Sequence, residues 1–400
     1  MLIKILHTAD WHLGKKLFQN ERLSEQVLFL HWLKNKIQNE QTDLLLISGD
    51  IFDTPLPPVA ALKAFYDFLA SVTASSACHI LVIAGNHDSG HFLEAPISLI
   101  TNKQVTLVGQ IHRDLSRHHQ VIKIKNKTLL ISCLPYFRSH DLYQWTQASE
   151  LSDGETTKAL EMFFHSSIQA APQSDYRILM AHHLFGQFEY SGSEQVVGLS
   201  GLNSIPRSLY QNYYDYLALG HIHKKQIIDR EPLSIYPGSP ISMRFSESHQ
   251  KFLSEIVIGE TVTQSFHAIP QHRRLYQLKT TEETLDRDLK NLMKEMTETS
   301  YTLTNYLEVE LFLKSPKSGM ADYIREKLKG QPIELLSYST ELHQTEQKAR
   351  KIQTKKLSIM ELFEQYYLTK FPETEQIPTE LVQDFNRLIH QAEVSKHEVE

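Results

Sequence analysis

Leu44-Leu45-Leu46-Ile47 is an unbroken apolar run that halts on Ser48-Gly49-Asp50. Apolar residues without polar alternation suit a strand covered on both faces, as in a parallel sheet. Gly49 lets the backbone turn sharply where the strand ends. Asp50 is then presented at the carboxyl end of the strand, the edge where open α/β sheets place their chemistry. Taken alone, such a carboxylate reads more readily as a cap on the next helix. Recurrence reverses that reading. Ile3 to Leu6 leads into His7-Thr8-Ala9-Asp10-Trp11-His12, and Ile80 to Ala84 ends in Gly85-Asn86-His87-Asp88. Ile178 to Ala181 ends at His182-His183, and Tyr216 to Leu219 ends in Gly220-His221-Ile222-His223. Residues two apart in extended chain point the same way, so Asp10 with His12, and His221 with His223, can each serve one side.

Helical spacing fills the gaps between these runs. Leu23, Val27, Leu30, Leu33 and Ile37 make one face; Val59, Leu62, Phe65, Phe68 and Leu69 make another, opened by Pro57 and Pro58. Short strands over 105–134, helical stretches over 139–170, a polar loop from Gly186 to Gly201 and a closing pair of strands over 251–268 follow. Phe188 and Tyr190 in that loop stand where a substrate could be touched. Beyond about residue 270 strand and helix patterns alternate without clustered ligand types. The tail carries two amphipathic helical patterns. One has a capping box, Ser358 with Glu361, and a stripe of Ile359, Leu362, Phe363, Tyr366 and Tyr367; the other opens at Pro378 and carries Leu381, Phe385, Leu388 and Ile389. Such helices dock on a partner or pack back on their own domain.

The chain has 400 residues, too many for one ordinary core, so two or three domains are expected. Cys78 and Cys133 cannot staple a chain of this size, which points to a reducing, cytoplasmic compartment. No apolar run reaches membrane-spanning length, and the first residues lack signal-peptide architecture. A net charge of −6 gives no global nucleic-acid signature and leaves a local basic patch open. Histidine, at 21 copies, is the outlier, and several copies stand at strand ends.

The strand-end residues are Asp10, His12, Asp50, Asn86, His87, His182 or His183, His221 and His223. Mixed carboxylate, amide and imidazole donors suit Mn²⁺, Fe or Zn²⁺ rather than Ca²⁺. They are too many for one cation and enough for two, and Asp50, from a central strand, is the natural bridge.

The order D-x-H, G-D-x-x-D, G-N-H-D, H, G-H-x-H resembles that of the calcineurin-like metallophosphoesterases. Within them, the runs His7 to Gly14, Ser48 to Asp53, Gly85 to Ser89, Ala218 to His223 and Tyr236-Pro237-Gly238-Ser239-Pro240 are similar to the SbcD family. These are bacterial nuclease subunits related to the Mre-type repair nucleases. The likeness covers about residues 1–245.

The resemblance implies an α/β fold: a metallophosphoesterase β-sandwich flanked by helices over 1–270, a small α+β capping domain over 271–341, a linker over 342–356 and a helical tail over 357–400. It implies two Mn²⁺, with Mg²⁺ or another divalent cation as the alternative. One would be held by Asp10, His12, Asp50 and His223. The other would be held by Asp50, Asn86, His221 and His183, preferred to His182 because it precedes Leu184. His87 becomes the catalytic general acid, or a stabiliser of the transition state, at the leaving 3′-oxygen. Asp53 and Asp88 either orient these groups or cap helices.

The activity implied is an ATP-dependent double-strand 3′→5′ exonuclease with single-strand and hairpin endonuclease action, serving DNA repair, recombination and replication. The partners implied are DNA and SbcC, an ATPase with a long coiled coil, in a heterotetramer built on a homodimer, with no membrane. Residues 357–390 would grip the coiled coil, and residues 271–340 would cap DNA. No G-x-x-x-x-G-K-[ST] occurs here, so the ATP site belongs to the partner. The alternatives are another calcineurin-like phosphodiesterase and a non-catalytic scaffold on that fold.

Overall fold

The computed structural model describes residues 2–97, 103–146, 153–194, 204–298 and 301–342, with 363, 366, 367, 370, 377, 378, 381, 382 and 385. The chain divides into two compact units, Met1–His343 and Gln344–Glu400.

The first unit opens with β1 (Ile3–Thr8), β2 (Lys16–Leu17), β3 (Asn20–Glu21), α1 (Leu23–Glu40), β4 (Leu44–Ser48), α2 (Val59–Thr73), β5 (His79–Ile83), α3 (Gly90–Glu94) and β6 (Val105–Val108). It continues with β7 (His119–Ile124), β8 (Lys127–Leu134), α4 (Tyr143–Thr146), α5 (Asp153–Ala170), β9 (Tyr176–His182), α6 (Arg207–Tyr210) and β10 (Tyr216–Gly220). Next come β11 (Gln226–Arg230), β12 (Leu233–Tyr236), β13 (Phe252–Ile258) and β14 (Val262–Ala268). Last are β15 (Leu275–Thr281), α7 (Leu285–Glu298), β16 (Asn305–Leu313), α8 (Met320–Leu328) and β17 (Ile333–Leu342).

Two six-stranded sheets, ordered β14-β13-β1-β4-β5-β6 and β11-β12-β10-β9-β8-β7, pack face to face between helices. In the first, β1, β4, β5 and β6 run parallel; in the second, β8, β9, β10 and β12 do. Alternate side chains of the same strand feed different cores. Leu44 and Leu46 face the inter-sheet core with Ile178, Met180 and Ala218, while Leu45 and Ile47 face α1 and α2. Leu179, Leu217 and Leu219 face α5 on the other side. Both faces being covered is why these runs show no polar alternation. The sandwich flanked by helices is the fold expected from the sequence, and its parallel strands deliver their carboxyl ends to one edge.

The helix faces differ in detail from the spacing-based expectation. In α1 the buried residues are Glu25, Gln26, Phe29, Leu30, Leu33 and Ile37, and Val27 is only half-buried. The first turn of α1 buries polar groups because it holds a loop: Gln26 donates from Nε2 to the carbonyls of Trp11 (3.0 Å) and His12 (2.6 Å). In α2 Val59 is exposed, and Ala61 and Val72 join Phe65, Phe68 and Leu69 in the core.

Beyond the sandwich, β15, β16 and β17 form a parallel three-stranded sheet with one helix between each successive pair. Its core holds Leu289, Leu307, Val309, Leu311 and Ile324. A smaller cluster of Leu17, Phe245, Leu275 and Tyr306 joins it to the rest of the unit. In the second unit, Phe363 and Phe385 stack with ring centroids 3.9 Å apart, so the two amphipathic patterns meet each other there. Ser358, Ile359, Glu361, Leu362, Leu388 and Ile389 lie outside the described residues, as does the expected linker apart from Leu342, which ends β17 rather than opening a linker. Among those described, no helix is long and apolar enough to cross a membrane, and Cys78 and Cys133 are buried and unpaired.

One buried histidine makes stability depend on pH. The His112 N–H donates to His118 Nε2 (3.0 Å), while His118 Nδ1 donates to the Cys133 carbonyl (2.9 Å), which holds the ring neutral. Burial pushes its pKa down to about 4. The folded state then binds fewer protons than the unfolded state, whose histidine titrates near 6.5, so stability is full above that value and falls as pH drops toward 4. At pH 5 this site alone costs about 2 kcal/mol relative to pH 7. Urea midpoints should fall accordingly, and His118→Gln should flatten the acid limb.

Candidate metal centre

The loops after β1, β4, β5, β9 and β10 converge through unusual backbone. Asp10, His12, Asp50 and His221 adopt positive φ of 57°, 47°, 50° and 98°. Such conformations cost on the order of 1–3 kcal/mol each and persist where surroundings over-determine them. Here the Asp10 N–H bonds the Gly49 carbonyl and the His12 N–H bonds the Asp50 carbonyl, each at 3.0 Å. Glycines give the clearance. A Cβ on Gly49 would stand 2.2 Å from His182 Nδ1, and one on Gly85 would stand 2.2 Å from Asp50 Oδ1.

Asp50 is buried at the centre. Its Oδ1 accepts the His87 N–H at 2.8 Å. Its Oδ2 lies 3.5 Å from His12 Nε2 and 3.4 Å from His182 Nε2. On one side, donor atoms of Asp10, His12, Asp50 and His223 all lie within 4.8 Å of one another. On the other, Asn86 Oδ1 lies 3.1 Å from His182 Nε2 and 2.9 Å from His221 Nδ1.

Burial and the neighbouring charges set the electrostatics of the centre. Burial opposes charge on both carboxylates. His182 and then His12 outweigh it at Asp50 and hold that carboxyl well below the usual range. Asp10 is pushed well above the usual range by burial, and the charge on Asp50 adds to the shift. Burial lowers His12 and His223, and brings His221 down to about 4, leaving imidazoles with free lone pairs. Asp10 Oδ2 and His221 Nε2 are buried without a hydrogen-bond partner. His12 Nε2 and His223 Nε2 face each other at 3.2 Å. Metal–nitrogen bonds of about 2.1 Å meeting near a right angle span about 3 Å, so this pair fits two donors on one cation. The donor set therefore suits divalent metal binding.

The preference for His183 is corrected by this geometry. The Phe137 N–H donates to His183 Nε2 at 3.1 Å, which uses its lone pair, and the ring packs on Tyr136 and Phe137. His182 instead points into the centre. Its Nδ1 stands 2.7 Å from the Ser48 carbonyl, which can only accept, so Nδ1 carries the proton and Nε2 faces Asp50 and Asn86. Burial disfavours its charge, yet the Asp50 carboxylate raises its pKa to about 9. Strand register explains the choice: side chains alternate across a strand, so only one histidine of a doublet can face the site. His182→Ala should weaken Mn²⁺ binding on its side of Asp50 by more than the about 10–100-fold seen when a group that merely supports a ligand is lost. His183→Ala should leave both sites intact and cost stability, read by calorimetric titration and thermal unfolding.

His87 stands over this arrangement. Its ring meets the His12 ring edge-on, with centroids 4.7 Å apart, and its Nδ1 lies 2.9 Å from the Asp53 carbonyl. The Asp53 carboxylate pairs with Lys15 (2.9 Å) and lies 3.3 Å from His12 Nδ1. Burial opposes its charge, but His12 and Lys15 bring its pKa down to about 2. Asp88 accepts the N–H groups of Gly85 (2.8 Å), Ile51 (3.1 Å) and Phe52 (2.9 Å), so it ties the β4 and β5 loops together. Burial and the charge on Asp50 raise its pKa to about 7. Helix capping is not its role; Ser89 caps α3 by accepting the Phe92 N–H.

Gln26, Lys15, Ser193, Glu194, Glu247 and Lys251 also support the site, although none of them belongs to a strand-end motif. Glu194 accepts the His223 N–H at 2.9 Å, and Ser193 Oγ lies 2.6 Å from His223 Nδ1. Their only sequence signal is a polar residue within an otherwise core-forming stretch, which Gln26 shows and the loop residues lack.

A family model described as calcineurin-like phosphoesterase matches residues 3–225, and one described as type 5 capsule protein repressor C-terminal domain matches residues 271–371. The chain is 32% identical over 251 residues to the D component of the nuclease SbcCD from Bacillus subtilis, covering 62% of this chain and 63% of that protein. It is 29% identical over 259 residues to the protein of the same name in Escherichia coli K12, covering 61% and 62%. The chain thus spans less than two thirds of the length of these curated relatives. Among solved structures, a dimetal phosphatase from Danio rerio is 11% identical, covers 67% of this chain and 99% of that one, and gives a TM-score of 0.41.

Proposed function

This chain belongs to the calcineurin-like phosphoesterase family, and on that premise we propose that it is a two-cation DNA nuclease subunit. The carrying observation is the convergence of two donor sets on the single buried carboxylate of Asp50. The name of the relatives, a component of the nuclease SbcCD, supports DNA as the substrate and SbcC as the partner. With that ATPase the activity is double-strand 3′→5′ exonuclease and single-strand or hairpin endonuclease, in cytoplasmic DNA repair, recombination and replication. The assembly is a heterotetramer containing a dimer of this chain.

Asp10, His12, Asp50 and His223 would hold one cation, and Asp50, Asn86, His182 and His221 the other, Mn²⁺ before Mg²⁺. When bound, such cations supply Lewis-acid charge to a phosphodiester and lower the pKa of water. The chain's own groups do the rest. The His87 N–H fixes Asp50 Oδ1, which leaves Oδ2 facing both donor sets. Because the Asp53 carbonyl can only accept, His87 Nδ1 carries a proton and Nε2 is the nitrogen that passes its own proton to the leaving 3′-oxygen. The edge-on His12 ring fixes the plane of His87. Residues 271–341 cap the duplex, and the tail docks on the coiled coil.

The test is cleavage of a hairpin DNA under Mn²⁺, with and without SbcC. Incision at the hairpin in both cases, and ATP-dependent degradation of linear duplex only with SbcC, is the expected result. No cleavage under any condition would reject the nuclease reading.

A further inference from the structure

Behind His223 runs a chain of polar groups, from half-buried Ser193 to buried Glu247 and Lys251, that the reaction itself does not use. His223 Nδ1 lies 2.6 Å from Ser193 Oγ, and Ser193 Oγ in turn bonds Glu247 Oε1. Glu247 Oε2 accepts from Lys251 Nζ and from the Met243 N–H at 3.1 Å. Lys251 Nζ also reaches Ser239 Oγ at 3.1 Å. Glu247 and Lys251 are each 2% exposed, so this ion pair is closed off from water. Burying an ammonium and a carboxylate is costly unless both are well bonded, and hydrophobic replacements commonly do as well for stability alone. Its position at the end of a chain leading to His223 gives it another use.

We propose that Ser193, Glu247 and Lys251 are positioning residues that lock His223 in the tautomer needed to hold a cation; this rests on the two-cation reading above. The direction of the chain follows from donor counting. A carboxylate only accepts, so the single Ser193 hydroxyl proton goes to Glu247. Ser193 Oγ can then only accept from His223, which places the imidazole proton on Nδ1. The lone pair is left on Nε2, the atom 3.2 Å from His12 Nε2 and within the donor cluster of Asp10 and Asp50. Lys251 holds the Glu247 carboxylate in place at the far end. Glu194 fixes the backbone of the same histidine: it accepts the His223 N–H at 2.9 Å and the Ser191 N–H at 3.0 Å. The turn 191–194 thus clamps one ligand by both main chain and side chain. Without the relay, the proton is free to sit on Nε2, where it blocks the lone pair.

The experiment uses the full chain with selectively ¹⁵N-labelled histidine. Long-range proton–nitrogen spectra without added metal report the His223 tautomer, assigned by the signal missing in His223→Gln. Calorimetric titration with Mn²⁺ alone reports binding. The wild type should show Nδ1 protonated. Ser193→Ala should shift His223 toward the Nε2-protonated tautomer and weaken one of two Mn²⁺ sites by about 10–100-fold, the usual effect of removing such support. Ser193→Thr, which keeps the hydroxyl, should restore both readouts. Glu247→Gln should move the tautomer in the same direction. Ser193→Ala with a wild-type tautomer and wild-type Mn²⁺ affinity would overturn the relay, even in a protein that cuts DNA. A wild-type chain that binds Mn²⁺ with Nδ1 protonated yet leaves hairpin DNA intact would uphold the relay and reject only the nuclease reading.

Discussion

Asp50→Asn empties both cation positions at once and lowers phosphodiester hydrolysis by about four orders of magnitude or more, as expected when both metal-supplied functions are lost together; Asp50→Ala does the same with greater disturbance of the loops. The reason is placement. Every other proposed ligand belongs to one donor set, whereas Asp50 Oδ2 lies within 3.5 Å of both His12 Nε2 and His182 Nε2. The carboxylate is also where the centre keeps its negative charge, since burial pushes Asp10 the other way. Replacing it by an amide keeps an oxygen for the His87 N–H and so preserves the loop, but removes the charge that two divalent cations need. Two measurements check this. Mn²⁺ titration should fall from two sites to none in the micromolar range. Thermal unfolding should lose its Mn²⁺-dependent stabilisation, which for one site at about a hundredfold excess over Kd amounts to about 2.7 kcal/mol. A variant that retains one tight site would show that Asp50 serves a single cation.

The legible part of this centre lay where strand and ligand coincide. Asp10, Asp50, Asn86 and His221 each follow a run buried on both faces, so an apolar word and a donor mark them together in the sequence. The doublet His182-His183 marked the position but not the residue. Which ring faces the site is fixed by the register of β9 beside β8 and β10, a pairing of distant segments that no local pattern encodes. Leu184, used to favour His183, is a core residue on the far side with Phe185. Likewise Glu247 and Lys251 pair with each other four residues apart, but the tie from that pair to His223 runs through Ser193, distant in sequence, and no local pattern encodes it. Asp53 and Asp88 show both outcomes of one ambiguity. Each could have capped a helix; one instead faces His12 and Lys15, and the other holds three backbone N–H groups.

His87→Ala should retain two Mn²⁺ per chain and lose cleavage of DNA by about 10²–10⁴-fold, the range of a lost general acid. Metal retention follows from contacts. The His87 side chain bonds the Asp53 carbonyl and touches the His12 ring, whereas its tie to Asp50 runs through the backbone N–H, which alanine keeps. Loss of rate follows from the leaving group. A 3′-alkoxide is a strong base, so departure needs a proton delivered as the bond breaks, and His87 Nε2 is the nitrogen left free by the Nδ1 bond. The alternative role is stabilisation of charge on the phosphoryl oxygens, and the two separate cleanly on a substrate whose leaving group needs no proton. With bis(p-nitrophenyl) phosphate the phenolate departs unaided, so a general-acid His87 becomes dispensable and the variant should fall within about tenfold of wild type. A defect as large on the aryl ester as on DNA would assign His87 to charge stabilisation instead. Loss of metal from the variant would remove it from both roles and make it a structural support of the site.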